Sequence, residues 1–132
     1  MIITQALLDN LTEEAKRSER LRMNLDLRNT PNDQSQRMLN AIEPGSVVPI
    51  HRHCKTSETI VCLRGRILAE LYDDCGQLIE AVELMPNGLS VAFNVPIGMW
   101  HTAKALDIGS VILEFKDGAY EPMNDEDILQ NL

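Results

Sequence analysis

The stretch Gly45-Ser-Val-Val-Pro-Ile-His51-Arg-His53-Cys-Lys-Thr-Ser-Glu58-Thr-Ile-Val-Cys-Leu-Arg-Gly65 decides how the rest of the sequence is interpreted. It holds two of the three histidines of the chain, and the third, His101, lies in a later segment rich in glycine and proline. Side chains alternate along a strand, so the two imidazoles of a His-x-His strand point to one face. Imidazoles with one carboxylate suit Fe, Mn, Ni, Cu or Zn better than Ca or Mg, which prefer oxygen ligands.

The spacing of these residues resembles the two motifs of the cupin superfamily. Gly, five residues, His-x-His, four residues, Glu, six residues and Gly describe positions 45–65 without a gap. The second motif is similar at Gly88, Pro96, Gly98 and His101, although seven residues rather than five separate Gly88 from Pro96, and Ala105 replaces the family's non-ligand Asn. The resemblance implies an all-β fold, a cupin jelly-roll (double-stranded β-helix) barrel, preceded here by an N-terminal α-helix.

The same resemblance implies a metal centre and a ligand set for it. One divalent transition metal (Fe, Mn, Ni or Zn) would be bound by His51, His53, Glu58 and His101. The alternative is that the histidines are hydrogen-bonded core residues without a metal. Four ligand-type residues in register with a two-part pattern favour the metal centre.

A narrower resemblance, to the WbuC family of cupin-fold metalloproteins, covers most of the chain. It rests on residues 22–27, 36–45, 63–66 and 115–120. Members of that family occur among genes for bacterial surface polysaccharide synthesis, which implies a sugar or nucleotide-sugar ligand. Arg28 stands where that family would have a histidine.

Composition restricts the partners and the compartment. A chain of 132 residues fits one domain, and a net charge of −8 with a pI near 4.8 argues against nucleic acid or an anionic membrane as partner. Three cysteines, Cys54, Cys62 and Cys75, form no Cys-x-x-Cys pair and suit a reducing compartment. The first residues lack the features of a secretory signal, so we predict a cytoplasmic protein.

Periodicity predicts one helix and eight strands. The helix covers residues 5 to about 22, with Thr4 as its N-cap. The predicted strands are 36–42, 47–53, 57–63, 66–73, 77–84, 90–95, 100–106 and 109–117, separated by Gly, Pro, Asn and Asp turns. We expect three parts: 1–35 as helix and linker, 36–120 as the cupin barrel, and 121–132 as an acidic tail with a short helix at 125–131.

Polar residues in the segments that resemble the WbuC family are candidates for binding the ligand. The substrate-binding candidates are Arg22, Asn24, Gln36, Arg37, Lys116 and Tyr120, and Asn40 joins them as a pocket residue. Arginine and lysine would hold a phosphate or carboxylate. In the last strand Glu114 and Lys116 share one face, and Val111, Leu113 and Phe115 share the other. We expect the apolar face to be core and the charged face to be solvated; the alternative is that the charges reach the mouth of the cavity.

These observations lead to one main hypothesis and two alternatives. The main hypothesis is a metal-binding cupin that acts on or binds a small polar metabolite, with isomerase- or epimerase-type chemistry open to it. The alternatives are an Fe(II) dioxygenase with the same ligands and a non-catalytic metal- or ligand-binding cupin. Because an open jelly roll leaves sheet edges to cover, we predict a homodimer.

Overall fold

The structure, a computed structural model, describes residues 1–129 and consists of one helix, eight strands and a single 3₁₀ turn. The elements in chain order are α1 (Gln5–Arg17), β1 (Arg22–Asp26), β2 (Gln36–Ile42), β3 (Glu58–Arg64), β4 (Ile67–Tyr72), β5 (Leu78–Leu84), β6 (Ala92–Val95), β7 (Trp100–Ala105), β8 (Ser110–Lys116) and the 3₁₀ turn η1 (Asp125–Asp127). None of the helices among these residues has the length and apolarity to cross a bilayer.

The strands form two antiparallel sheets that face each other as a cupin jelly roll. One sheet has the strand order β1-β2-β8-β3-β6, and the other has the order β5-β4-β7. Apolar side chains from both sheets meet between them and form the main core. Its buried members are Ile42, Ile60, Cys62, Ile67, Ala69, Leu84, Val95, Ala103, Ala105 and Ile112.

Helix α1 covers the outer face of the five-stranded sheet. The Thr4 hydroxyl accepts a hydrogen bond from the amide of Leu7, which confirms Thr4 as the N-cap. The apolar side of the helix packs on the sheet and forms a second core, whose buried members are Leu8, Leu11, Ala15, Leu39, Ala41 and Val111. Alternation along each strand therefore supplies both cores, because one face of β2 and β8 meets the helix and the other meets the second sheet.

The N-terminal region differs from the prediction in two ways. The helix ends at Arg17, and the predicted extension to about residue 22 is wrong. Residues Arg22–Asp26 instead form strand β1, paired antiparallel with β2. A period-two pattern in Arg-Met-Asn-Leu-Asp, with Met23 and Leu25 packed on the helical core, is the signal for this strand.

The predicted strand 47–53 is not a regular strand, and the sheets do not close into the predicted barrel. In this segment only His51 makes β-bridges, to His101 and to Ile128. Pro49 interrupts the segment and has no amide hydrogen to donate to a ladder. The two sheets consequently share a core without a continuous hydrogen-bonded connection at this edge.

The C-terminal segment also departs from expectation. Of the predicted helix 125–131, the structure shows the single 3₁₀ turn η1, and residues 130–132 lie outside the described residues. After that turn the backbone pairs with the His51 segment, where the amide of Leu129 donates to the carbonyl of Ile50 at 2.8 Å. The division into residues 1–35, 36–120 and 121–132 stays a prediction. Within the last part, residues 127–129 are hydrogen-bonded to the His51 segment.

Candidate metal centre

Four side chains from separate parts of the chain meet at one end of the space between the sheets. His51 and His53 come from the irregular segment before β3, Glu58 begins β3, and His101 lies in β7. One ligand atom from each of the four lies within 4.8 Å of every other. Glu58 and His101 are each only 3% exposed. The structure therefore brings together the residues that the motif spacing singled out.

Backbone carbonyls fix the orientation of two of these imidazoles. Nδ1 of His51 lies 2.8 Å from the carbonyl oxygen of Pro49, and Nδ1 of His101 lies 2.8 Å from that of Met99. A carbonyl can only accept, so Nδ1 carries a hydrogen in both rings, and Nε2 is the ring nitrogen left to face the cluster. This is the arrangement that orients metal-bound histidines in proteins.

The inward-facing atoms lack hydrogen-bond partners. Nε2 of His53, Nε2 of His101 and Oε2 of Glu58 are buried, and among the described residues none of the three has a partner of suitable geometry. Oε2 of Glu58 lies 3.1 Å from Nε2 of His53 and 3.4 Å from Nε2 of His101. Buried polar atoms are otherwise nearly always paired, so these need a common partner.

A divalent transition metal satisfies that need. Ligands about 2.1 Å from an ion stand about 3 Å apart when adjacent and about 4.2 Å apart when opposite. The separations of 3.1 and 3.4 Å match adjacent positions, and movements of a few tenths of an ångström would bring the widest pair, within 4.8 Å, into range. Three imidazoles and one carboxylate thus form a His₃Glu metal-binding group whose metal identity is left open.

The electrostatics of the cluster agree with metal ligation. Burial and the neighbouring His101 lower the pKa of His51 to about 4, so its ring is neutral at neutral pH. Burial would raise the pKa of Glu58, but the ring nitrogens of His101 and His53 beside its carboxylate, together with the charge of Lys116, outweigh burial and hold that pKa well below its ordinary value. Both residues are consequently in the protonation state that binds a cation.

The charged face of β8 is turned inward, which contradicts our expectation that it is solvated. Glu58, Ile60 and Cys62 of β3 are the register partners of Lys116, Glu114 and Ile112 of β8, so these residues share the face that meets the second sheet. The opposite face of β8, which carries Val111 and Leu113, packs against helix α1. The expectation that the apolar face is core is confirmed for Val111 and Leu113, which lie beneath helix α1. The charged face is not solvated, because both faces of β8 are covered, one by the helix and the other by the second sheet.

Glu114 is a functional-site residue that sequence reasoning did not identify. Burial and the charge of Glu58 raise the pKa of Glu114 to about 8, although Lys116 opposes the shift. Glu114 therefore keeps its proton at neutral pH, and it lies on the same inner face of the sheet as Glu58. The sequence signal was its position two residues after Ile112 in β8, because side chains two apart on a strand share a face and Ile112 faces the main core.

A cavity of about 460 Å³ opens beside the four-residue cluster. His53 lines it, as do Gln36, Lys116 and Tyr120 from the substrate-binding candidates. The segment from residue 118 to residue 124 forms one wall. The volume is within the range of about 300–1,000 Å³ typical of small-molecule sites.

The other three candidates lie away from this cavity. Arg22 donates to the carbonyl of Val47 at 2.8 Å, and Asn24 is solvent-exposed on the edge strand β1. Arg37 forms an ion pair with Asp33 at 3.0 Å and is the register partner of Phe115, on the side of the sheet that carries helix α1. Their predicted substrate role has no support from the geometry, because strand alternation and register carry them elsewhere.

Solved structures with a similar fold share little sequence with this chain. KdgF from Halomonas sp. is 20% identical, with a TM-score of 0.61 over 76% of this chain and 82% of that one. An oxalate oxidase in complex with the substrate analogue glycolate is 14% identical, with a TM-score of 0.63 over 80% of this chain and 55% of that one. Bacillus subtilis oxalate decarboxylase, studied for its Mn(II) centres, is 19% identical, with a TM-score of 0.57 over 83% of this chain and 27% of that one.

These likenesses establish the jelly-roll fold and leave the activity open. No curated protein matches the sequence. A family model, the domain of unknown function DUF6016, matches residues 3–84. That match is more than half of the chain and includes His51, His53 and Glu58, while His101 lies beyond it. The chain belongs to the DUF6016 family and has the cupin fold.

Proposed function

We propose that this protein is a metal-dependent cupin that binds, and acts on, a small anionic metabolite in the cavity beside the metal. The observation that carries the proposal is the convergence of three unpartnered buried ligand atoms next to an open cavity. His51, His53, Glu58 and His101 would hold the ion. A divalent metal in this position supplies Lewis-acid polarisation of a coordinated ligand oxygen.

The charges that line the cavity support an anionic ligand. Arg52 is paired with Asp127 at 2.9 Å, and Lys55 is paired with Glu121 at 3.1 Å. Lys116 is the third cation of the lining, and no carboxylate oxygen of the described residues lies within 4.0 Å of its ammonium group. In a chain with a net charge of −8, a cavity ammonium without a salt-bridge partner is the natural partner of a carboxylate or phosphate.

The resemblance to the WbuC family supports a narrower ligand class, a uronic acid or nucleotide-sugar intermediate of surface polysaccharide synthesis. Isomerisation or epimerisation would suit that ligand. Two of the structurally similar proteins are named for oxalate, a small dianion, and one is described with Mn(II) centres. These names are compatible with a metal-bound anion here.

The oligomeric state and the compartment are part of the same proposal. Strands β1, β6, β5 and β7 are sheet edges within the described residues, and open edges favour pairing with a second copy. Three free thiols, Cys54, Cys62 and Cys75, suit the reducing cytoplasm. Light scattering at micromolar concentration would test the homodimer, and a monomer mass would contradict it.

Binding measurements test the ligand class directly. Protein loaded with Mn(II), Fe(II), Ni(II) or Zn(II) is titrated with uronic acids and nucleoside-diphosphate sugars, with neutral hexoses as controls. We expect binding of the acids and no binding of the neutral sugars. Lys116→Ala is expected to weaken binding of the acids at least about tenfold, the loss of one charged hydrogen bond, and to leave metal content unchanged.

A matched lysine variant separates the cavity from general charge. Lys104→Ala removes the same charge from β7, in the three-stranded sheet, where the ammonium pairs with Glu70 of the neighbouring strand β4. This variant is expected to bind acids as the wild type does. Equal losses in the two variants, or equal binding of acids and neutral sugars, would contradict the anionic ligand.

A further inference from the structure

The metal-ligand segment is held from outside by residues that do not contact the metal position. Arg52 separates His51 from His53, and its guanidinium lies over the ring of Trp100, 4.5 Å from the ring centroid. Nε of Arg52 donates to Oδ1 of Asp127 at 2.9 Å. Trp100 directly precedes His101 in β7, so Arg52 contacts both of the other elements that meet at this segment.

The backbone of this segment has hydrogen bonds on both sides although it is not a regular strand. On one side the amide of His51 donates to the carbonyl of His101 at 3.0 Å, and the amide of His101 donates back at 2.8 Å. On the other side the amide of Arg52 donates to the carbonyl of Asp127 at 3.0 Å. The C-terminal segment thus replaces the missing neighbouring strand.

Asp127 concentrates these contacts in one side chain. It is 9% exposed, and Oδ1 accepts hydrogen bonds from Arg52 and from the thiol of Cys54 at 3.3 Å. The residues on either side of His53 in the chain are therefore both tied to the same carboxylate. Fixing two flanking side chains restricts the backbone that carries the His53 imidazole.

We propose that Arg52 and Asp127 are positioning residues of the metal centre and that the C-terminal segment 127–129 is part of that centre. Without the Asp127 side chain, Arg52 and Cys54 would lose their common partner, and the imidazoles of His51 and His53 would sample a wider range of positions. Outer contacts of this kind change metal affinity about 10- to 100-fold. The inference rests on the proposed metal binding.

Metal affinity measured apart from activity tests the inference. Mn(II) is titrated into the full-length protein, and free Mn(II) is followed by its electron paramagnetic resonance signal. We expect Asp127→Ala and Arg52→Ala each to weaken Mn(II) binding at least about tenfold. Asp127→Asn keeps an acceptor oxygen and is expected to lose less. The double variant Arg52→Ala/Asp127→Ala should lose less than the sum of the two single losses, because both substitutions remove the same Arg52–Asp127 ion pair.

Two controls distinguish positioning from loss of folding. Asp125→Ala removes an exposed carboxylate from the same 3₁₀ turn and should bind Mn(II) as the wild type does. Chemical unfolding of each metal-free variant identifies variants that are simply less folded, and affinities are compared at temperatures where all are native. The bound-Mn(II) spectrum should broaden in Asp127→Ala, which a change in stability alone would not produce.

The outcomes separate this inference from the proposed function. A wild-type protein that binds none of the metals overturns both. A wild type that binds Mn(II) while the native Asp127 and Arg52 variants bind it equally tightly, with unchanged spectra, overturns the positioning role alone.

Discussion

Glu58 and Lys116 are register partners across β3 and β8, so the carboxylate of the metal cluster and the unpaired ammonium of the cavity stand side by side on the inner face of one sheet. A ligand with a metal-binding oxygen next to an anionic group can contact both positions at once. This relationship joins the metal centre and the cavity into one site.

Removing the carboxylate of Glu58 should remove most of the metal affinity. Glu58→Gln keeps the size of the side chain but replaces an anionic ligand oxygen with a neutral amide. We expect Mn(II) or Zn(II) affinity to fall at least about 100-fold, beyond the usual effect of an outer contact. Isothermal titration calorimetry measures the change.

An exposed glutamate provides the control for that substitution. Glu121→Gln removes a carboxylate from the cavity rim, where it pairs with Lys55 and is mostly exposed, and it should leave metal affinity within about twofold. Equal metal binding by Glu58→Gln and the wild type would show that the four-residue cluster is not the metal site.

Metal binding should stabilise the fold, because the ligands come from two distant parts of the chain, residues 51–58 and His101. A ligand that binds only the native state adds about 2.7 kcal/mol at a concentration 100 times its dissociation constant. We expect EDTA to lower the thermal midpoint of the wild type by several degrees. The Glu58→Gln protein, measured beside it by differential scanning fluorimetry, should show almost no EDTA effect; an equal EDTA shift would place the stabilising metal elsewhere.

The partly buried acid Glu114 should make the metal-free protein less stable as pH rises. Its folded pKa is about 8 against an ordinary value of 4.5, so the folded protein keeps a proton that the unfolded chain releases, and stability falls between these values. His51 acts in the opposite direction, because its folded pKa of about 4 lies below the ordinary 6.5, and stability rises with pH only up to about 6.5. The effect of Glu114 is therefore isolated between pH 6.5 and pH 8.

Urea unfolding in EDTA at pH 6.5, 7.2 and 8 measures this effect. The wild type should lose stability across the series, and Glu114→Gln, which cannot ionise, should lose much less. Bound metal compensates the charge of Glu58, so the decline should also be smaller in the metal-loaded wild type. Parallel pH slopes for the two metal-free proteins would contradict the assignment.

Two turn glycines allow backbone strain to be separated from a steric clash. Gly65 and Gly109 both have positive φ, +78° and +72°. A Cβ at Gly65 would lie 2.3 Å from Oγ and 2.8 Å from Cα of the fully buried Ser110, whereas a Cβ at Gly109 would meet nothing within 4 Å. We expect Gly109→Ala to cost about 1–2 kcal/mol from the left-handed backbone, and Gly65→Ala to cost about 1–3 kcal/mol more from the clash.

Urea unfolding of both variants checks this prediction. Because the two backbone conformations are nearly the same, the difference between the variants reports the contact with Ser110. Equal losses in the two variants would mean that Ser110 and its strand move away at little cost.

The sequence by itself determined the elements of this site that depend on residue type and local spacing. The chemistry of three imidazoles and one carboxylate, the turns at Gly45, Gly65 and Gly98, and the alternation along β2, β3 and β8 are all local properties. Local properties also predicted the strand 36–42 with the bounds that the structure shows. The spacing of glycine, proline and histidine that resembles the cupin motifs is likewise a local property of the sequence.

Only the tertiary structure decided which face of each strand is buried and which distant segments meet. Alternation groups Glu114 with Lys116, but the docking of helix α1 on the opposite face is what turns them toward Glu58. Likewise, nothing local in the acidic C-terminal residues indicates that Asp127 meets Arg52. Such pairings depend on strand register and on packing between elements far apart in the chain. No local sequence pattern specifies either of these.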